Sequence, residues 1–167
     1  MRGAPSPTVD LVRAAELVAE LCRRFEGFRP RAYLCPAGVA TIGYGATTYL
    51  DGQPVRLGDL ALSRESAERL LLGQIEQVYL PGARALCPGL PAAALAAVTD
   101  FAFNLGLARL KGSTLRQRLL AGDMAGAASE LRKWTRAGGR VLPGLVLRRE
   151  AEVVLLKCRP TTPSALF

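Results

Sequence analysis

Hydrophobic positions along this chain recur every three or four residues in several separate stretches, a spacing that places them on one face of an α-helix. The first stretch runs from Leu11 to Phe25 and predicts an amphipathic helix over residues 9–25, ending just before Glu26. Later stretches predict helices over residues 91–105, 113–121, 123–135 and 144–157. Residues that commonly open a helix stand at the start of several of them, namely Pro91, Ser113 and Asp123.

A further helix is predicted over residues 63–79. Ser63 supplies an N-cap oxygen, and apolar residues follow it at helical spacing. Proline has no backbone N–H, so Pro81 and Gly82 are expected to stop this helix near Tyr79. A helix of this length could link two lobes.

Residues 27–59 are punctuated by glycine and proline, which leaves room only for short strands. An antiparallel pair is predicted at residues 32–34 and 39–42, and no other β region is expected. The fold class is therefore α+β and mainly α. We expect a single domain over residues 9–160, whose helical lobe comprises residues 9–25 and 85–158, with tails at residues 1–8 and 161–167.

The composition is that of a globular domain. The chain has 167 residues, of which 50% are hydrophobic, and this suffices to bury a core without disulfides or a metal. Arginine and glutamate interrupt the apolar runs well short of the roughly 18 residues that a membrane-spanning helix needs. Residues 1–8 lead into an amphipathic, acid-containing segment rather than the apolar core of a signal peptide, so we expect a soluble protein without a secretory leader.

The formal net charge of +8 favours a polyanionic partner such as nucleic acid, teichoic acid, lipopolysaccharide or the carboxylates of peptidoglycan stems. The basic residues are spread from Arg2 to Arg159 instead of being interleaved with aromatic residues, so only charge argues for nucleic acid. Histidine is absent and the 4 cysteines show no CxxC spacing. We therefore expect neither a metal site nor another cofactor.

Candidate chemistry is concentrated just after the first predicted helix. Glu26, at the end of that apolar-faced helix, is followed across a Gly/Pro-rich hairpin by the thiol of Cys35 and the hydroxyl of Thr41. A glutamate held against apolar groups can keep its proton near neutrality and donate it to a glycosidic oxygen. Hydrolysis then needs a second group that acts on water or attacks the sugar from the other side.

The spacing of Glu26, Cys35 and Thr41, followed by Ile-Gly-Tyr-Gly, resembles the active-site segment of the phage-type lysozymes, the family of the T-even phage lysozyme and many lambdoid endolysins. The resemblance covers residues from about 10 to 157. It continues in later segments at residues 100–106, 112–115, 134–140 and 144–152. It implies a lysozyme-like fold, in which a long helix joins a small antiparallel β lobe to a larger helical lobe.

The resemblance also assigns roles to individual residues. Glu26 matches the family's general acid, Cys35 its Asp-or-Cys position and Thr41 its water-positioning threonine. Sugar-binding contacts are implied at Gly45, Thr47, Phe103 and Asn104. A thiol with an ordinary pKa of about 8.5 is only a few per cent ionised at pH 7. The role of the thiol therefore stays open between base, nucleophile and weakly polar neighbour of the reacting water.

Two adjacent arginines, Arg148 and Arg149, lie on the last predicted helix. Arginine on a helix surface is most often solvated. One of the two could instead pair with acidic groups and keep the lobes closed around Glu26.

The activity implied by the resemblance is that of a muramidase, which hydrolyses β-1,4 bonds between N-acetylmuramic acid and N-acetylglucosamine in bacterial peptidoglycan. Such an enzyme would act as a monomer, without metal or nucleic acid. If phage-encoded, it would accumulate in the host cytoplasm until a holin opens the membrane. Other functions stay open: a catalytically impaired peptidoglycan-binding protein on the same scaffold, a basic nucleic-acid-binding protein, or a lytic transglycosylase acting on the same bond.

Overall fold

A long helix begins the described part of the chain. The computed structural model describes residues 7–35 and 37–158, and its first helix, α1, spans Pro7–Glu26. This helix begins two residues earlier than predicted, because Pro7 and Thr8 are already helical. Residues 1–6 and the tail predicted at 161–167 lie outside the described residues. Glu26 is the last residue of α1, one residue beyond the predicted end of this helix.

Two short strands follow α1 as the predicted antiparallel pair. β1 spans Arg29–Leu34 and β2 spans Ala40–Gly43. Tyr33 lies opposite Thr41, and the register shifts between Tyr33 and Arg29. One face of this pair packs into a small core of its own, formed by Ile42, Ala46, Val55 and Leu70.

The middle helix begins at its predicted cap. Ser63 Oγ accepts a hydrogen bond from the backbone N–H of Ser66 at 3.0 Å. This bond satisfies one of the free N–H groups at the start of α2, which spans Arg64–Gln74. The buried face of α2 includes Leu71 and Ala67 and joins the two lobes through the main core.

The middle helix also runs farther than predicted. After α2 the chain makes a π-helical turn over Ile75–Tyr79 and continues as α3, Leu80–Leu86. The expected stop at Pro81 and Gly82 is therefore wrong. In the wide turn the N–H of Leu80 already donates to the carbonyl of Ile75, so Pro81 stands in the first turn of a new segment, where its missing N–H costs little.

The central helix of the larger lobe is α4, Ala92–Leu105, preceded by Pro91 as the cap residue. Most of its residues are buried, including Ala96, Phe101 and the acidic Asp100. α4 packs against α1 on one side and against the last helix, α8, Pro143–Lys157, on the other. None of the helices within residues 7–35 and 37–158 combines the length and apolar character needed to cross a bilayer.

Shorter helices complete this lobe: α5 is Leu107–Lys111, α6 is Thr114–Leu120 and α7 is Met124–Leu131. The predicted caps Ser113 and Asp123 are confirmed, because each side chain accepts a hydrogen bond from the backbone N–H three residues later. α5 was absent from the sequence prediction, since a five-residue helix is too short to show a period.

The helix predicted over residues 123–135 ends earlier, and a second hairpin follows it. β3, Arg136–Ala137, pairs antiparallel with β4, Arg140–Val141. The expectation of a single β region is therefore wrong. Gly138 and Gly139 have φ values of 55° and 77°, the left-handed conformation at both central positions of a two-residue hairpin turn. The α+β, mainly α fold class is confirmed.

Candidate active site

The carboxylate of Glu26 is held at the end of α1 by an arginine of the last helix. Arg148 Nη1 donates a hydrogen bond to Glu26 Oε1. The Glu26 side chain is 23% exposed, whereas that of Arg148 is only 3% exposed. The sequence argument set this glutamate against apolar groups, but its carboxylate lies against a buried guanidinium. Of the two arginines considered, Arg148 is the one that pairs with the acid.

The guanidinium of Arg148 also binds a second carboxylate, that of the fully buried Asp100. Arg148 Nε and Nη2 donate to the two oxygens of Asp100, each at 2.8 Å. Burial acts to lower the pKa of Arg148, but the hydrogen bonds and charges of Asp100 and Glu26 outweigh it and raise that pKa above its ordinary value. Arg148 therefore stays charged and ties α1, α4 and α8 together at the acid.

Gly45 lies directly against the acid. A Cβ atom built at Gly45 would stand 3.2 Å from Glu26 Oε2, and the residue has φ +88°. Both facts disfavour a side chain here, because the backbone conformation would be strained and the carboxylate would have to move. The predicted site residue Gly45 is thus placed next to Glu26, beside the carboxylate oxygen that Arg148 does not bind.

Cys35 and Thr41 lie close together at the turn between β1 and β2. The backbone N–H of Cys35 donates to the carbonyl of Val39 at 3.0 Å, and the hydroxyl of Thr41 donates to the same carbonyl, also at 3.0 Å. Hydrogen bonds from the backbone N–H groups of Val39 and Ala37 lower the pKa of the Cys35 thiol. At a given pH, a larger fraction of Cys35 is therefore ionised than for the ordinary thiol assumed from the sequence.

The remaining predicted site residues have different surroundings. Phe103 is half-buried on α4, with its ring centroid 5.0 Å from that of Tyr79. Asn104 Oδ1 accepts a hydrogen bond from Arg149 Nη2 at 3.0 Å. Thr47 is exposed, and its carbonyl accepts a hydrogen bond from the backbone N–H of Val55. The structure thus gives Phe103 and Asn104 fixed orientations and leaves the Thr47 side chain free of such a partner within the described residues.

The sequence argument assigned no role to Asp100 or Glu152. Glu152 is fully buried and accepts a hydrogen bond from Arg149 Nη2 at 2.7 Å. Burial, and then the neighbouring Asp100 carboxylate, raises the pKa of Glu152 well above its usual range. The available signal was Asp100 itself, because an aspartate within the apolar run of α4 must find a partner when that helix is buried.

An open cavity with a volume of about 620 Å³ lies beside Glu26. One continuous segment of the chain, from Glu26 to Tyr33, lines it. Glu26, Arg29 and Arg31 are among its lining residues. The cavity brings a partly accessible carboxyl group to an open, polar surface. A carboxyl held in this way can transfer a proton to a ligand bound in the cavity.

Comparison with known proteins shows similarity along most of the chain. Residues 23–152 match the family described as Phage lysozyme. An endolysin of Acyrthosiphon pisum secondary endosymbiont phage 1 is 38% identical over 141 residues, which are 82% of this chain and 92% of that protein.

Solved structures agree with the sequence relatives. The endolysin from Escherichia coli O157:H7 phage FAHEc1 aligns with a TM-score of 0.74 at 27% identity, covering 84% of this chain and 90% of that one. The muramidase domain of SpmX from Asticaccaulis excentricus aligns with a TM-score of 0.73 at 26% identity, covering 95% and 100%.

Proposed function

Since this chain belongs to the phage lysozyme family and is a glycoside hydrolase of the endolysin type, we propose that Glu26 is the general acid with which it cleaves the glycan strands of peptidoglycan. The observation that carries this assignment is the position of the Glu26 carboxyl group. It is fixed by a buried arginine, partly accessible, and adjacent to an open cavity. The bond cut is the β-1,4 bond between N-acetylmuramic acid and N-acetylglucosamine.

The two oxygens of Glu26 have separate tasks in this proposal. Oε1 accepts the hydrogen bond from Arg148, whereas Oε2 lies against Gly45. Oε2 carries the proton to the glycosidic oxygen as the bond from that oxygen to the anomeric carbon breaks. The carboxylate left behind is stabilised by Arg148, whose orientation Asp100 maintains.

Thr41 and Cys35 act on the water. The Thr41 hydroxyl proton is committed to the carbonyl of Val39, so its oxygen is left as an acceptor that can orient a water molecule. The Cys35 thiolate accepts the proton of that water while the water oxygen bonds to the anomeric carbon. Water that attacks opposite the leaving oxygen inverts the configuration at that carbon.

The sugar contacts are proposed for the residues that border this site. Gly45 allows a sugar ring to approach the backbone near Glu26, and Phe103 presents a ring whose orientation Tyr79 fixes. Because Arg149 occupies Oδ1 of Asn104, the amide nitrogen remains as a donor for a substrate carbonyl or hydroxyl. Thr47 contributes an exposed hydroxyl.

Endolysins act on the bacterial cell wall, and we propose the same setting for this chain. It works as a monomer, with residues 9–160 forming a single domain. It accumulates in the host cytoplasm and reaches peptidoglycan after a holin opens the membrane. Size-exclusion chromatography with light scattering tests the monomer, and co-expression with and without a holin tests the route to the wall.

The direct test of the function is product analysis on purified sacculi with the wild type and Glu26→Gln. We expect new reducing ends from the wild type and none from Glu26→Gln, while the control Glu16→Gln, an exposed residue of α1, retains activity. Anhydro-muramic ends would identify a lytic transglycosylase instead. Full activity in Glu26→Gln, or none in the wild type alongside intact wall binding, would contradict the proposal.

A further inference from the structure

Alternation along β1 divides its side chains between two faces of the small sheet. Ala32 packs with Ile42 in the core of the β lobe. Tyr33 and its cross-strand partner Thr41 therefore lie on the opposite face. The register shifts between Tyr33 and Arg29, and Arg31, which lies within this stretch, is exposed and lines the cavity beside Glu26. Thr41 itself is buried, whereas Arg29 and Arg31 are exposed and make the outer part of β1 basic.

An arginine is stacked on the tyrosine of this surface. Arg29 Cζ lies 4.7 Å from the centroid of the Tyr33 ring. The ring attracts the guanidinium, whose N–H groups stay available for other partners. A planar guanidinium with a free edge can bind a carboxylate through two parallel hydrogen bonds.

The positive charge here is not neutralised by the protein itself. Arg29 and Arg31 are both exposed, and within residues 7–35 and 37–158 neither forms a salt bridge. Both line the cavity of about 620 Å³ that reaches Glu26. The only carboxylate among the lining residues is Glu26, which Arg148 already binds. The cavity is therefore a basic concave surface with room for an anion.

We infer that Arg29, Arg31 and Tyr33 form a subsite beside Glu26 that binds a carboxylate of the peptide stem of peptidoglycan. Arg29 makes the bidentate contact, Tyr33 fixes its plane, and Arg31 adds charge. The inference rests on the proposed function, because it takes the glycan bound at Glu26 as its starting point. The stem is joined to the muramoyl ring itself, so its carboxylates come close to the cavity when the neighbouring glycosidic bond lies at Glu26.

Substrates with and without stems provide the test. Teichoic-acid-free sacculi are used either intact or after an amidase has removed their stems, and kcat/KM is measured on both. We expect Arg29→Gln to reduce the ratio of kcat/KM on intact sacculi to kcat/KM on stem-free sacculi about 10-fold, since one charge-assisted contact is lost. The change should lie in KM. The control Arg13→Gln removes the same charge from an exposed position on α1 and leaves the ratio unchanged.

Further variants separate planarity from charge. Arg29→Lys keeps the charge but not the fork, so its ratio falls nearly as far as that of Arg29→Gln. Tyr33→Leu lowers the ratio and Tyr33→Phe restores it, because phenylalanine retains the ring. Binding of Glu26→Gln and Glu26→Gln/Arg29→Gln to insoluble sacculi gives a readout without turnover, and we expect weaker retention of the double variant only when stems are present.

Several results would overturn the subsite. One is that Arg29→Gln lowers activity equally on both substrates, and another is that it leaves the ratio where Arg13→Gln leaves it. If added teichoic acid reduced binding to sacculi and removal of the stems did not, the surface would be assigned to phosphate. Failure of the proposed function has a different signature, in which Glu26→Gln cleaves like the wild type. An inactive Glu26→Gln together with an unchanged ratio for Arg29→Gln refutes the subsite alone.

Discussion

Arg148 Nη1 donates a hydrogen bond to Oε1 of Glu26, and this bond joins residues that are 122 positions apart in the chain. The other edge of the same guanidinium holds the buried carboxylate of Asp100. The proposed acid is therefore positioned from α8 and α4 and not only by its own helix. Changes on α8 should act on catalysis without touching the substrate.

Arg148→Lys keeps the charge of this position but cannot present a planar fork to both carboxylates. We expect kcat to fall at least about 10-fold. Arg148→Met leaves Asp100 buried and unpaired and should cost about 3–5 kcal/mol in the free energy of unfolding. Denaturant titration and steady-state kinetics measure the two effects.

The control for this prediction is Glu150→Gln, also on α8. Glu150 pairs with Arg132, but the two side chains are 47% and 43% exposed, so losing the pair should cost less than about 1 kcal/mol. Wild-type kinetics in Arg148→Lys would show that Arg148 does not position Glu26.

Gly45→Ala tests the close approach of the backbone to the acid. The new methyl group would stand 3.2 Å from Glu26 Oε2, and φ +88° disfavours any side chain. We expect a stability loss of about 1–2 kcal/mol together with a large loss of kcat. Gly52→Ala is the matched control, because Gly52 has φ +82° and nothing within 4 Å of its added Cβ. Equal kinetics in the two variants would mean that only backbone strain matters.

The pH dependence of activity should report Cys35. If the thiolate is the base, kcat/KM rises with pH through the Cys35 pKa, which hydrogen bonds from Val39 and Ala37 hold below the ordinary thiol value. Cys35→Asp should retain activity and move this rise to more acidic pH, since a carboxyl ionises near pH 4. Cys35→Ser should lose most activity, because a hydroxyl does not ionise in this range.

Alkylation gives an independent measurement of the same residue. Cys22 and Cys87 are buried, so Cys35 and the exposed Cys158 are the accessible thiols. In a Cys158→Ser background, labelling of Cys35 confirmed by mass spectrometry should abolish turnover. An unchanged rate after complete labelling would remove Cys35 from the reaction.

Glu152 should make stability depend on pH. Its pKa in the folded protein is raised by burial and then by Asp100, so its contribution to stability is complete below the unfolded pKa of about 4.3. That contribution is lost as pH rises towards the folded value, because the unfolded chain ionises there and the folded one does not. Glu152→Gln should therefore gain stability relative to the wild type between pH 4 and pH 7. Denaturant unfolding at both pH values measures it, and a constant difference would argue against a neutral Glu152.

Features that depend on residues close together in the chain could be predicted from the sequence. Ser63, Ser113 and Asp123 cap helices because each side chain reaches a backbone N–H only three residues away. The apolar spacing of α1 likewise located Glu26 at the end of a helix. The spacing of Glu26, Cys35 and Thr41 also carried the family resemblance, and with it the expected lysozyme-like arrangement of the two lobes.

Tertiary structure decided the rest. Pro81 did not stop the middle helix, because a π-helical turn precedes it. That turn has no local signal in the sequence. Arginines on a helix are expected to be solvated, yet packing of α8 against α4 buries Arg148 and Arg149. The partners of Arg148, Glu26 and Asp100, are 122 and 48 residues away. A pattern with a period of a few residues carries no information about such pairs, because they exist only once the helices have packed.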